Sequence, residues 1–188
     1  LMNTVDHQIY QQVSQELHQG ESIEWIGQPH PGTYARGSLK IFLFAVPWTA
    51  FALFWMAGAA GFRIPDFNEG FDYFPLFGLP FLFIGIGMFL KPLRDYFKAY
   101  RIVYAVSNKR ALIIQFGKRK KIAGYSSNEI GQVTRIENSD GIGDVYFSVN
   151  TPVMTGRQGR FGRIGFKAVH QPKQAEAQLQ ALLLKKEQ

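Results

Sequence analysis

The apolar residues of this chain are concentrated in two long runs. Residues 41–61 and residues 73–90 contain no charged side chain and consist mainly of aliphatic and aromatic residues. A helix rises about 1.5 Å per residue, so each run can cross about 30 Å of hydrocarbon, the second only just. A chain of 188 residues is too short to enclose two such helices in a soluble core. The pattern therefore predicts a transmembrane hairpin.

The charges beside these runs predict its orientation. Cations cluster on the outer flanks of the two runs, at Arg36, Lys40, Lys91, Arg94, Lys98 and Arg101. The connector, residues 62–72, holds one cation against three carboxylates. Because basic flanks are retained in the cytoplasm, both termini are expected there in a multi-pass protein.

Small residues recur every seven positions within both runs. They are Ala45, Ala52 and Ala59 in the first and Gly78 and Gly85 in the second. Such stripes let two antiparallel helices approach closely, although chance placement explains five positions equally well. Neither run contains an ionisable side chain, which argues against a transporter or channel built from this chain alone. The hairpin is predicted to be an anchor or a docking surface.

Beyond residue 93 the pattern changes to short alternating runs separated by turn signals. Alternation of this kind predicts antiparallel strands, at residues 101–107, 111–116, 120–126, 131–138, 144–149 and 162–169. The strongest turn signal is Asp140-Gly141. Pro172 then begins an amphipathic helix whose apolar face includes Leu179 and Leu182.

Three segments follow from these patterns. Residues 1–40 form an N-terminal cytoplasmic segment, residues 41–90 the hairpin, and residues 98–188 a cytoplasmic β-rich domain. Within the first segment, Ile9, Val13 and Leu17 predict a short amphipathic helix over residues 4–18.

The run of residues 104–114 reads Tyr-Ala-Val-Ser-Asn-Lys-Arg-Ala-Leu-Ile-Ile. It resembles the first hairpin of bacterial pleckstrin-homology-like (PH-like) domains, which often follow a pair of membrane spans. Residues 20–29 are similar to the stretch before the first span in those proteins, and residues 140–147 and 165–166 also fit. The resemblance covers nearly the whole chain, and residues 104–110 are its most specific part.

The resemblance implies a bacterial inner-membrane protein carrying a PH-like antiparallel β-barrel or curled sheet, capped by a C-terminal helix. A PH-like fold has seven strands, whereas the pattern predicts six after the second run. The seventh comes either from residues 21–28, from two adjacent strands that the pattern joins into one, or from a strand without clear alternation. The tryptophan often present in the closing helix is missing from residues 172–188. Specific phosphoinositide binding is not implied, because Ser107-Asn108-Lys109-Arg110 does not match the spaced motif of eukaryotic members.

Positive charge is concentrated after the hairpin. From residue 91 onward, 18 Lys and Arg face 7 Asp and Glu, which gives +11 where the whole chain carries +7. The candidate lipid-binding cations are Lys118, Arg119, Lys120, Lys121, Arg157, Arg160 and Arg163. Each cation near an anionic leaflet gains about 1 kcal/mol. Solvated loops whose charge only enforces topology explain the same pattern and are slightly favoured over lipid contact.

The sequence offers no catalytic site. There is no cysteine, the four histidines are scattered, and no phosphate loop, nucleophile elbow or metal-ligand cluster occurs. We therefore expect no enzyme, no metal and no cofactor. We also expect no nucleic-acid partner, because the aromatic residues alternate within strands instead of interleaving with the cations on one face. Two functions stay open: an accessory, assembly or scaffold subunit of a membrane-protein complex, or an autonomous module that binds anionic lipid headgroups.

Overall fold

The computed structural model describes residues 7–62, 73–149 and 164–185. Its helices are α1 (His7–Ser14), α2 (Pro31–Arg36), α3 (Leu39–Ala59), α4 (Leu79–Phe89), α5 (Lys91–Ala99) and α6 (Pro172–Leu184), with a 3-10 helix at Phe74–Gly78. Its strands are β1 (Ile23–Gly27), β2 (Ile102–Ser107), β3 (Arg110–Gln115), β4 (Lys121–Ser126), β5 (Ile130–Glu137), β6 (Ile142–Val149) and β7 (Ile164–His170). The chain forms two compact units: a helical unit of residues 35–96, and a β unit of residues 1–34 and 97–188.

The described part of the chain contains two helical stretches that are long and apolar enough to cross a membrane, Leu39–Ala59 and Phe74–Ala99. Only 11% of the most apolar window of each is buried. The core helix of a soluble protein buries much more of its apolar surface. Pro80 lies in the first turn of α4. A backbone N–H has no partner within the helix at this position, so its absence in proline costs no helical hydrogen bond.

The β unit contains two antiparallel sheets. One has four strands in the order β1-β2-β3-β4, and the other has three in the order β5-β6-β7. Strand β1 comes from the segment before the hairpin and pairs with β2, the first strand after it. The expected strand within residues 21–28 is therefore present.

The expected barrel is not closed. Among the described residues, the sheets are joined only by an isolated antiparallel bridge between Pro29 and Val169. The chain passes from β4 to β5 through a short turn, yet these two strands belong to different sheets. The described part of the chain thus forms two sheets rather than one continuous barrel.

Alternation along the strands gives the four-stranded sheet two apolar faces. One face joins the three-stranded sheet and α6 in a core around Phe147, Phe166 and Leu179. The Phe166 ring is stacked on Trp25 and Tyr104, with centroids 5.4 and 5.0 Å apart. Each large apolar side chain removed from water there stabilises the fold by about 2 kcal/mol.

Helix α1 covers the opposite face. Its Val13 is fully buried in a second cluster with Val103, Ala105, Leu112 and Ile114. The helix is only eight residues long, too short to be stable alone in water, so packing on this face holds it.

Candidate functional site

The basic turn, defined as residues 118–121, lies where β3 leads into β4, and all four of its residues are exposed. Lys120 forms an ion pair with Glu16 and lies 5.1 Å from the ring centroid of Phe116. Lys118, Arg119 and Lys121 form no ion pair with any residue that the structure describes. The basic turn therefore already binds one carboxylate and presents three further positive charges. The candidates Arg157, Arg160 and Arg163 lie outside the described residues.

Arg110 anchors the N-terminal segment to the start of β3. Its guanidinium donates Nε to Glu21 Oε1 at 3.0 Å and Nη2 to Glu21 Oε2 at 3.2 Å. The same Nη2 donates to the Glu16 carbonyl at 3.0 Å. The Glu21 side chain is only 2% exposed, so this forked pair satisfies a carboxylate that burial would otherwise destabilise.

Opposing effects act on the pKa of Glu21. Burial alone would raise it, but the backbone N–H of His18 and the Arg110 guanidinium favour the ionised carboxylate and outweigh burial. The pKa of Glu21 is therefore below its ordinary value. Glu21 is charged in the folded protein at neutral pH.

The residues that carry the PH-like resemblance make further contacts with the same segment. Asn108 donates Nδ2 to the Gly20 carbonyl at 3.2 Å and accepts the Ser22 N–H at 3.1 Å. Lys109 Nζ donates to the Gln19 carbonyl at 3.3 Å. The Asn-Lys-Arg triplet thus ties the N-terminal segment to the β2–β3 turn, and its side chains are engaged within the molecule.

The small-residue stripe lies on buried surface of the helical unit. Ala45, Ala52, Gly78 and Gly85 are buried, while Ala59 is half-buried. A Cβ on Gly78 would overlap Met56, and one on Gly85 would overlap the Thr49 hydroxyl. Antiparallel packing of α3 against α4 and the preceding 3-10 helix therefore depends on glycine at both positions.

Aromatic contacts complete this interface. Trp48 Nε1 donates to the Phe81 carbonyl at 3.0 Å. The Phe42 and Phe89 rings meet edge to face, with centroids 5.4 Å apart. A small apolar groove of about 280 Å³ lies between Trp48, Phe51, Ala52, Trp55, Phe77, Gly78 and Phe81.

A polar cluster closes one end of the hairpin. Ser38, which precedes α3, is 3% exposed and donates its hydroxyl to Asp95 in α5. Lys91 Nζ lies 2.6 Å from the same carboxylate oxygen and 3.3 Å from the Ser38 hydroxyl. The start of the first apolar helix is thus held to the end of the second.

The β unit contains an open pocket of about 590 Å³. Its polar lining includes Gln28, His30, Tyr100, Asp140, His170 and Gln171. The rings of His30 and His170 meet edge to face, with centroids 5.3 Å apart. His30 Nδ1 accepts the Thr33 N–H at 3.3 Å and so caps the N-terminus of α2. Among the described residues, no three His, Cys, Asp or Glu side chains are arranged to hold a metal ion.

Sequence reasoning missed the meeting of His30 and His170. The two residues are far apart in the chain and share no motif, and the bridge between Pro29 and Val169 brings them together. No spacing signal in the sequence could have predicted this contact.

Comparison with known proteins found no match to this chain among protein-family models, curated proteins or solved structures.

Proposed function

We propose that this chain is a non-enzymatic, membrane-anchored protein with a PH-like cytoplasmic domain, and that it acts as an accessory, assembly or scaffold subunit of a membrane-protein complex. The observation that carries the proposal is the surface of the hairpin. Small residues pack inward, whereas large apolar side chains point outward along both helices, among them Leu43, Phe44, Phe51, Phe54, Phe77 and Phe83. Such a surface is stable only against lipid or another apolar protein surface.

The pairing of β1 with β2 supports a hairpin topology. Gly27 precedes the first apolar helix and Tyr104 follows the second, yet the two residues are partners in one sheet. A membrane cannot separate two paired strands, so the chain must cross it an even number of times. Together with the flanking cations, this favours a multi-pass bacterial inner-membrane protein with both termini in the cytoplasm.

The strand arrangement supports the PH-like part of the proposal. The β unit has a four-stranded sheet, a three-stranded sheet and a C-terminal helix that packs on the core between them. Seven strands followed by a closing helix is the arrangement that the resemblance implies. We assign this domain a binding role, without catalytic residue, metal or cofactor.

The proposal is tested by purifying the tagged full chain from its native membrane in a mild detergent and identifying bound proteins by mass spectrometry. We expect one membrane protein in stoichiometric amount. Recovery of the chain alone from several mild detergents would contradict the subunit role.

A second candidate function, an autonomous module that binds anionic lipid, is favoured by one specific observation. Lys118, Arg119 and Lys121 are exposed and make no ion pair among the described residues, which leaves them available to lipid phosphates. The test is hydrogen exchange of the full chain in nanodiscs of neutral lipid and of mixed neutral and anionic lipid. Slower exchange in the basic turn with anionic lipid alone would favour this function, and identical exchange would exclude it.

A further inference from the structure

We propose that the open edge of β4 adds an extended, acidic segment of a partner protein as a further strand. The inference deepens the proposed subunit role, because it names the surface of the β unit that binds the partner and the chemistry of the segment bound. It rests on the pairing geometry of β4 and on the charge at its beginning.

Strand β4 is an outer strand whose pairing with its neighbour is regular along its whole length. Its register with β3 is continuous over six residue pairs, from Arg110 and Ser126 to Gln115 and Lys121. The other outer strands, β1, β5 and β7, each pair across a register shift. Irregular pairing protects an edge against strand addition, and β4 lacks that protection.

The hydrogen bonds at the end of β4 show which of its backbone groups face outward. Ser126 donates its N–H to Glu129 and accepts the Glu129 N–H, so neither group is directed at β3. On the partner strand, Arg110 directs its N–H and carbonyl to Ser107. Ser126 and Arg110 are therefore a pair without mutual hydrogen bonds.

Antiparallel pairing alternates, so the same orientation recurs at every second residue. Ile122 and Gly124 accordingly direct their N–H and carbonyl groups away from β3, toward the open edge. No other backbone hydrogen bond reaches them from the residues that the structure describes. Gly124 presents no side chain and Ile122 is 42% exposed, so a new strand has both donors and acceptors within reach.

The cations at the beginning of β4 determine which kind of segment can bind at its open edge. The basic turn lies at the beginning of β4, and its Lys120 already binds the carboxylate of Glu16. A segment rich in Asp and Glu is therefore attracted to this edge, whereas a segment rich in Lys and Arg is repelled.

The test uses the full chain in nanodiscs of neutral lipid. The probe is a fluorescent peptide in which Glu alternates with Val, and the control peptide has Lys in place of Glu. The decisive variant is Gly124→Pro, which removes an outward N–H and leaves the β3–β4 hydrogen bonds intact. Its matched control is Gly124→Ala, which places a Cβ 3.2 Å from Arg110 Nη1 and 3.3 Å from Leu112 Cδ2, as Pro does, but keeps the N–H.

We expect the Glu peptide to bind to the wild-type chain. Gly124→Pro should raise the Kd of this peptide at least about tenfold, because the peptide loses a hydrogen bond to β4 and can no longer approach its backbone closely. Gly124→Ala should change the Kd by less than about twofold. Amide exchange at Ile122 and Gly124 should slow when the peptide binds. Equal Kd values for the two Gly124 variants, or unchanged exchange at these amides, would overturn the proposal.

A triple variant, Lys118→Glu with Arg119→Glu and Lys121→Glu, keeps the proposal testable if Gly124→Pro does not fold. This variant should bind the Glu peptide more weakly, and the Lys peptide more tightly, than the wild-type chain does. Continued preference for the Glu peptide would contradict the role of the basic turn. The wild-type peptide measurements separate this proposal from the subunit role. If no peptide binds but a membrane protein still co-purifies, only the β4 edge proposal fails.

Discussion

Glu21 is the residue whose removal should most clearly weaken the β unit. Replacement by Gln keeps the shape of the side chain but leaves the partly buried guanidinium of Arg110 without its ionic partner. We expect Glu21→Gln to lower the free energy of unfolding by about 2 kcal/mol. Chemical denaturation of the full chain in detergent micelles measures this loss. The control is Glu24→Gln, at an exposed position of β1, which should change stability by less than about 0.5 kcal/mol.

The same carboxylate predicts how stability depends on pH. The pKa of Glu21 is lower in the folded state than in the unfolded chain. The ionised carboxylate therefore contributes fully to the free energy of unfolding at pH values above the unfolded pKa of about 4.3. The contribution disappears as pH falls through the folded pKa. Between neutral pH and strong acid, the wild-type chain should therefore lose more stability than Glu21→Gln. Parallel stability curves over that range would contradict the assignment.

Contacts at this scale were the least predictable from sequence. Arg110 and Glu21 are 89 positions apart, and nothing in the spacing of charges indicates that they meet. The PH-like resemblance singled out residues 104–110 in the sequence, but the contacts of Asn108, Lys109 and Arg110 with the N-terminal segment depend on the tertiary structure. In contrast, exposure of the basic turn followed directly from four consecutive cations.

At the scale of elements, the glycines of α4 provide a matched pair for testing the hairpin. A Cβ on Gly85 would overlap Thr49, whereas one on Gly87 meets nothing within 4 Å. Both substitutions by Val have the same cost in helix propensity. We expect Gly85→Val to destabilise the hairpin by about 1–3 kcal/mol more than Gly87→Val does. Unfolding in mixed micelles with increasing SDS, followed by circular dichroism, measures the difference, and equal effects would argue against close packing at Gly85.

Most elements were predictable because their periodicity is local. The six predicted strands lie within two residues of β2 to β7 at both ends, and Pro172 begins α6 as expected. Helix α1 ends at Ser14 rather than at residue 18, since Gly20 and the contacts of Glu16 and Glu21 hold the following segment in another conformation. Residues 4–6 of the predicted helix lie outside the described residues. Helices α2 and α5 were not predicted as separate elements. Helix α2 is only six residues long and depends on the His30 cap. Helix α5 follows α4 after a single residue, at the charged flank of the second apolar run.

At the scale of the whole molecule, the hairpin topology can be tested with single cysteines, because the natural chain has none. Phe62→Cys lies at the connector and Asn128→Cys in the β4–β5 turn, and both positions are exposed. We expect a membrane-impermeant maleimide to label Phe62→Cys from outside intact spheroplasts. Asn128→Cys should react only in inverted vesicles. Labelling of both sites from one side would contradict a two-span hairpin.

The separation of β1 from β2 in the chain has a consequence for biosynthesis. A ribosome delivers β1 before either apolar helix and delivers its partner only after both. A nascent chain that failed to insert its second helix would hold the two strands on opposite sides of the bilayer, and the four-stranded sheet could not form. Its apolar strands would stay exposed to chaperones and proteases. Under the proposed topology, the β unit can therefore form only if both apolar helices enter the membrane or neither does.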